Sequence, residues 1–312
     1  MNSQTNWDMI GIDVSKDKLD IHILSKNKHV CIKNQYTKIL AWLKQQPDHV
    51  AYVFESTGGY EKILIKCLNK VEASYHRAHP NRVFHYGKSK GYFAKTDKID
   101  AKTLACYGRD NPLTFMKISE KDLQLQELSA RKAQLKKMLQ QERHRLGHDF
   151  FNSIIKQSIK RHIKQIEKEI NQIDIALEQA IADNQEMTEK RELLESVKGV
   201  GKEVSQILLT QLPELGKLSK TQISSLVGVA PCNRDSGKRK GRRSVRGGRF
   251  DVRRALYMAA LVAVQHNKRY KEKYHELLSK GKEKKVALMA IMRKLIMALN
   301  AMIKNNRVWQ EA

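Results

Sequence analysis

The chain has 312 residues, length enough for about two domains with separate cores. It carries 59 Lys+Arg against 33 Asp+Glu, and the net charge of +26 makes nucleic acid the expected partner. No apolar run approaches the roughly 18 residues of a membrane span, Met1–Asp8 is too polar for a signal peptide, and Cys31, Cys67, Cys106 and Cys232 form no Cys-x-x-Cys pair. A membrane partner, a secretory leader and a structural zinc site are therefore not expected. The expected setting is a reducing cytoplasm of bacterial type, at the nucleoid.

Taken in chain order, Asp8–Val14 is a short apolar run ending in a polar turn, and Leu19–Leu24 and His29–Lys33 alternate with period two. These three segments predict an antiparallel meander. Lys38–Gln46 reads as helix stopped by Pro47, and Val50–Phe54 as a strand buried on both faces. Ser-Thr-Gly-Gly then opens a helix over Tyr60–Glu72, a strand covers Ser74–Ala78 and ends at Pro80, and Asp97–Tyr107 is helical. Three strands followed by strand–helix–strand is the order of a ribonuclease-H-like α/β domain, placed at residues 1–115.

Residues 116–188 change character. Leu125, Leu128, Leu135 and Leu139, then Ile159, Ile163, Ile166, Ile170, Ile173 and Leu177, recur at three and four steps, which predicts two long antiparallel helices turning near Gly147–Asn152. A spacer would satisfy that pattern, as would an arm for oligomerisation or RNA binding. Residues 189–312 predict a mainly helical, basic domain, with 22 Lys+Arg against 6 Asp+Glu from Arg234 to Ala312.

Four acids stand at places suited to chemistry. Asp13 ends the first strand, Glu55 ends the buried strand, and Asp97 and Asp100 share one face of a helix start. Carboxylates so placed suit Mg²⁺, with Mn²⁺ as an alternative, and leave ligand positions open for phosphate. Asp97 taken alone also reads as an N-cap. Ser236 lies in a tract with ten Lys/Arg between Arg234 and Arg254, among them Lys238, Arg239, Arg242, Arg243, Arg246, Arg249 and Arg253. Positive surroundings can activate a serine hydroxyl, yet from the residues alone a phosphate-binding loop with incidental serines, Ser236 and Ser244, is the better fit to the tract. Leu193–Leu209 has the hydrophobic–Gly–hydrophobic–Gly turn of a helix-hairpin-helix, in which Gly199, Gly201 and Lys202 would meet a DNA phosphate. A structural tight turn is the other reading. His144 and His148 lack a third ligand and read as a solvated face.

Gly11-Ile-Asp-Val-Ser-Lys, Glu55-Ser-Thr-Gly-Gly-Tyr-Glu and Phe93-Ala-Lys-Thr-Asp-Lys-Ile-Asp-Ala, followed by Gly228-Val-Ala-Pro, Arg234-Asp-Ser-Gly, Gly247-Gly-Arg and Val252-Arg-Arg-Ala-Leu-Tyr-Met-Ala-Ala, closely resemble the "IS one-ten" family of insertion-sequence transposases, DEDD recombinases related to the Piv invertase. The resemblance runs nearly end to end, although the middle hairpin matches only in pattern. It implies a RuvC-like N-terminal domain and a C-terminal transposase domain. It further implies a metal-binding tetrad of Asp13, Glu55, Asp97 and Asp100, and Ser236 as nucleophile, with Ser244 as the fallback. Beyond the residues themselves it implies donor and target DNA, a structured non-coding guide RNA, and a homo-oligomer, dimer to tetramer, in which one protomer's serine completes another's metal site.

The expected function is Mg²⁺-dependent DNA strand cleavage and exchange through a phosphoserine link. Two rivals remain from the residues alone. One is a metal-dependent nuclease that uses water and leaves Ser236 structural; the other is a non-catalytic nucleic-acid-binding protein.

Overall fold

The computed structural model describes residues 7–92, 94, 96–115, 117–232, 241 and 243–310, and it divides into two compact units, Met1–Leu123 and Gln124–Ala312. In the first unit the chain runs β1 (Asp8–Val14), β2 (Lys18–Ile23), β3 (Lys28–Lys33), α1 (Tyr36–Leu43), β4 (Val50–Glu55), α2 (Lys62–Lys70), β5 (Ser74–Ala78), α3 (Pro80–Ser89) and α4 (Asp97–Asp110). The five strands form one sheet in the order β3-β2-β1-β4-β5. The β1-β2-β3 meander is antiparallel, whereas β1, β4 and β5 run parallel.

Strand alternation decides what each face of this sheet carries. Ile10, Ile12, Val14, Leu19, Ile21, Ile23, Tyr52 and Phe54 pack in one core with Ile39 and Leu43 of α1 and Leu64, Ile65 and Leu68 of α2. The opposite face presents Gly11 and Asp13, and α4 lies against it, across β1 and β2. The expected strands and the helix starting at Asp97 are present. The strand over Ser74–Ala78 ends before Pro80 as expected, and Pro80 also begins a further helix, α3, that the sequence reading did not include. The proline's missing N–H has no intrahelical partner to lose at that position, and the His79 side chain caps the turn by accepting the Asn81 N–H at 3.2 Å.

The second unit is mostly helical: α5 (Glu120–Leu146), α6 (Ser153–Ala182), α7 (Gln185–Glu195), α8 (Lys202–Gln211), α9 (Lys220–Val227), α10 (Phe250–His266), α11 (Lys268–Ser279) and α12 (Lys284–Asn305). A two-stranded ribbon, β6 (Pro231–Cys232) with β7 (Ser244–Val245), stands between α9 and α10. Arg143 of α5 pairs with Glu167 of α6 at 2.8 Å, and Lys132 of α5 pairs with Asp174 of α6. Leu256 and Ala260 of α10 and Ile291, Leu295 and Leu299 of α12 centre the core.

α12 corrects the sequence reading that no apolar run is long enough to span a bilayer. Its 22 residues contain a window of mean hydropathy 1.8, long and apolar enough by composition, and half of that window is buried within the protein. The helix is apolar because it is the central helix of a packed bundle, hydrophobic on most of its circumference.

Candidate active site

The acidic face begins with a glycine. A Cβ on Gly11 would stand 2.1 Å from the Ala101 carbonyl oxygen and 2.3 Å from the Ala105 nitrogen, so the α4 backbone rests directly on β1 at this residue. Only a residue without a side chain permits that approach. Asp13 lies two residues further along the same face of β1. Its antiparallel partner on β2 is Asp20, and on β4 the parallel register runs Gly11 to Val53 and Ile12 to Phe54, which carries Glu55 to the level of Asp13. Asp97 and Asp100 occupy the first turn of α4. The N-cap is Thr96, whose hydroxyl accepts the Ile99 N–H at 3.3 Å, so capping does not account for Asp97.

The electrostatics report how closely these groups are gathered. Burial, followed by the charges of Asp100, Asp97, Glu55 and Asp20, pushes the Asp13 carboxyl up from 3.8 to about 6. Lys18 offsets part of the negative charge, with Nζ 2.7 Å from Asp97 and 2.9 Å from Asp20. Asp20 is buried and meets His29 Nε2 at 2.9 Å. Lys18, Asp20 and His29 were not legible as site residues, because their place beside Asp13 follows from the β1–β2–β3 register rather than from any motif.

These oxygens are hard donors of the kind that hold Mg²⁺ or Mn²⁺. Among the described residues no three His, Cys, Asp or Glu side chains are grouped as ligands of one ion. That arrangement suits a cation bound by one or two carboxylates, with phosphate and water completing its shell, which is the usual habit of Mg²⁺. The carboxylate repulsion felt by Asp13 is the observation that favours a cation here.

Glu61, the last residue of the Glu55-Ser-Thr-Gly-Gly-Tyr-Glu segment, shapes the turn that follows Glu55. Its buried carboxylate accepts the N–H groups of Thr57 at 3.2 Å and Gly59 at 2.9 Å, and Arg77 of β5 pairs with it at 2.6 Å. Burial alone would raise its pKa. Hydrogen bonds from its own N–H, Thr57 and Gly59, together with the Arg77 guanidinium, more than offset that and hold it below the usual carboxylate range. Arg77 also donates to the Ser56 hydroxyl at 2.7 Å.

In the second unit, Ser236 and the predicted contact residues Arg234, Lys238, Arg239 and Arg242 lie outside the described residues. The structure does define both ends of their segment. Pro231 pairs with Val245 and Cys232 with Ser244. Beside that ribbon two backbones cross: a Cβ on Gly228 would lie 2.1 Å from the Gly247 carbonyl oxygen, and one on Gly248 would lie 2.2 Å from the Gly228 nitrogen. Both glycines also have positive φ, 77° and 79°. The Gly228-Val-Ala-Pro and Gly247-Gly-Arg segments thus bring the two flanks of residues 233–243 together. The Ser244 hydroxyl is buried without a partner among the described residues, a poor setting for a nucleophile.

The remaining predicted contact residues divide by environment. Arg249 donates to Glu214 at 2.5 and 2.6 Å and to the Gln211 carbonyl at 2.8 Å, and Arg253 donates to the Gly247 carbonyl at 2.6 Å. Both hold the start of α10 against its surroundings. Arg243 and Arg246 are exposed. Lys202 pairs with Glu178 at 3.1 Å. Gly199 takes φ 109° and sits where a Cβ would meet the Ala259 carbonyl at 2.8 Å, so packing against α10 explains it. Gly201 is open and caps the N-terminus of α8.

Comparison with known proteins gives these two constellations a common setting. A family model described as "Transposase" (DEDD_Tnp_IS110) matches residues 10–149, and one described as "Transposase IS116/IS110/IS902 family" matches residues 191–275. The chain belongs to the IS110 ("IS one-ten") family of transposases, enzymes that act on DNA. It is also 28% identical over 311 residues to the pilin gene-inverting proteins of Moraxella bovis and Moraxella lacunata, with 96% of each chain covered in both comparisons.

Proposed function

We propose that this protein is a DNA strand-exchange enzyme that cleaves by forming a phosphoserine link. The observation that carries the reading is the placement of Asp13, Glu55, Asp97 and Asp100 on one face of the sheet and at the start of the helix lying on it, where burial and then the charges of the other three raise the Asp13 carboxyl to about 6. The strand order and the helix crossing Gly11 support a RuvC-like, ribonuclease-H-like first domain. The paired charges of α5 and α6 support an antiparallel hairpin, read as the arm that meets a second copy or RNA.

In this mechanism the carboxylates of Asp13, Glu55, Asp97 and Asp100, one or two to each ion, would hold Mg²⁺ or Mn²⁺, which when bound would supply positive charge to the scissile phosphate. Glu61 and Arg77 position the turn after Glu55. The Gly228–Gly248 crossing and the β6–β7 ribbon hold both ends of the segment bearing Ser236. The Ser236 oxygen attacks phosphorus and its proton is released; the Ser–O–P bond forms as the bond to a DNA oxygen breaks, and that oxygen leaves as a hydroxyl. A hydroxyl of the partner strand then reverses the step, so strands exchange without net hydrolysis. Arg243 and Arg246 contact phosphates. Family membership supports donor and target DNA as partners, with an element-encoded guide RNA choosing sequence by base pairing and a dimer or tetramer placing one protomer's serine at another's carboxylates. The setting is the bacterial nucleoid.

The test is cleavage of element-end DNA by Asp13→Asn and Glu55→Gln variants, together with melting curves with and without Mn²⁺. The reading predicts lost cleavage, lost stabilisation by Mn²⁺ and retained DNA binding. Normal cleavage by both variants would refute it.

A further inference from the structure

One stripe of α10 is unaccounted for by folding or by the reaction above. The helix buries Val252, Ala255, Leu256, Ala259 and Ala263 in the core. On another side Phe250 is 63% exposed and Tyr257 38% exposed, seven residues apart and so on the same side of the helix. With Met289 and Met292 of α12 these rings line an almost wholly apolar cleft of about 220 Å³, completed by Arg253 and Arg254. The Arg253 guanidinium stands 5.9 Å from the Phe250 ring centre and is tied to the Gly247 carbonyl, at the base of the Ser236 segment.

We propose that this cleft receives an unpaired base of the DNA strand being cleaved, stacked against Phe250 and Tyr257, with Arg254 near the adjoining phosphate. Exposed aromatic rings beside arginines, over an apolar floor, match the two parts of a single-stranded nucleotide: a flat apolar ring system and an anionic linkage. Phe250 stands exposed beside Arg253 in a chain of net charge +26, so a ring able to stack on a base and charge that attracts a polyanion occur together here. The choice of DNA rests on the proposed role of Ser236, because the cleft adjoins the base of its segment and the strand attacked there is DNA. Stacking one base beside the scissile linkage would fix the register of the strand without reading its sequence.

Binding of a short fluorescent single-stranded DNA to full-length, nucleic-acid-free protein in EDTA tests this without any requirement for cleavage, so failure of the serine mechanism would leave the result interpretable. Phe250→Ala and Tyr257→Ala should each weaken binding by roughly 5- to 150-fold, as loss of one stacked base does, with an unchanged salt slope. Tyr257→Phe should bind like the parent. An abasic strand should bind parent and variants alike, and melting curves should match, since both side chains are exposed. No loss in either alanine variant, or an equal loss on the abasic strand, would overturn the proposal. So would weakened binding of RNA of the same sequence with DNA unaffected, which would give the cleft to RNA. Altered sedimentation with unaltered DNA binding would make it an interface between copies and overturn it as well.

Discussion

The acidic face of the first unit and the basic segment of the second are positioned by different means. Asp13, Glu55, Asp97 and Asp100 stand on regular structure, and strand register and one helix start fix where each backbone lies. In the second unit the structure fixes a base: a two-stranded ribbon and a crossing of glycine backbones bring the ends of residues 233–243 together. The first arrangement suits groups that must meet one phosphate in a set geometry. The second gathers, in sequence, Ser236 and many Lys and Arg residues between two joined ends of chain. Close backbone approach through glycine is common to both, and the sharpest tests begin there.

Gly11→Ala should have the largest effect. Its new methyl would meet main-chain atoms that cannot move without unseating α4, and a loss of more than about 3 kcal/mol is expected, at the upper end of overpacking effects. Gly248→Ala should destabilise the second unit comparably, because strain at φ 79° adds to the clash. Thermal melts of both variants check this. A Gly11→Ala protein that melts like the parent would mean that α4 does not rest on β1.

Glu61→Gln comes next. It leaves the Arg77 charge without its carboxylate, and Arg77 is about a third exposed, so the expected loss is about 2–3 kcal/mol rather than the full penalty of a buried orphan. Cleavage should fall beyond what stability explains, since the turn after Glu55 loses its organiser. Equal stability of Glu61→Gln and parent would remove Glu61 from that role.

Asp13→Asn should move stability the other way, and by less. The folded-state pKa of Asp13, about 6, lies above its ordinary 3.8. Between those values the folded protein holds a proton that the unfolded chain has released, so this group's contribution to stability falls as pH rises through that window and then levels off. The asparagine variant should melt with the parent near pH 4 and above it near pH 7, by about 1 kcal/mol after allowance for solvent screening. A melting temperature below the parent's at pH 7 would make Asp13 a structural residue.

Much of the first unit was legible in the sequence because period-two strands and a doubly buried run leave plain signatures. Asp13, Glu55 and Asp97 sit at ends of elements that patterning alone locates. Lys18, Asp20 and His29 were hidden, since cross-strand register is a three-dimensional relation between segments with no shared motif. Helix α3 was missed because Pro80 was read only as the end of the preceding strand, whereas with His79 as N-cap it also starts a helix. The apolar length of α12 was missed because basic residues at its start and within it mask a core helix. In the basic tract, charge alone could not separate Arg249, committed to Glu214, from the exposed Arg243 and Arg246.

The central claim is that Ser236 attacks phosphorus, and a suicide substrate tests it most directly. DNA nicked beside the cleavage point loses its short fragment on cleavage, so the reverse step cannot occur and protein stays attached. The account predicts an adduct that survives denaturing electrophoresis, requires Mg²⁺ or Mn²⁺, disappears in Ser236→Ala and persists in Ser244→Ala. Free cleaved ends with no adduct under either metal would contradict it and leave a nuclease that uses water.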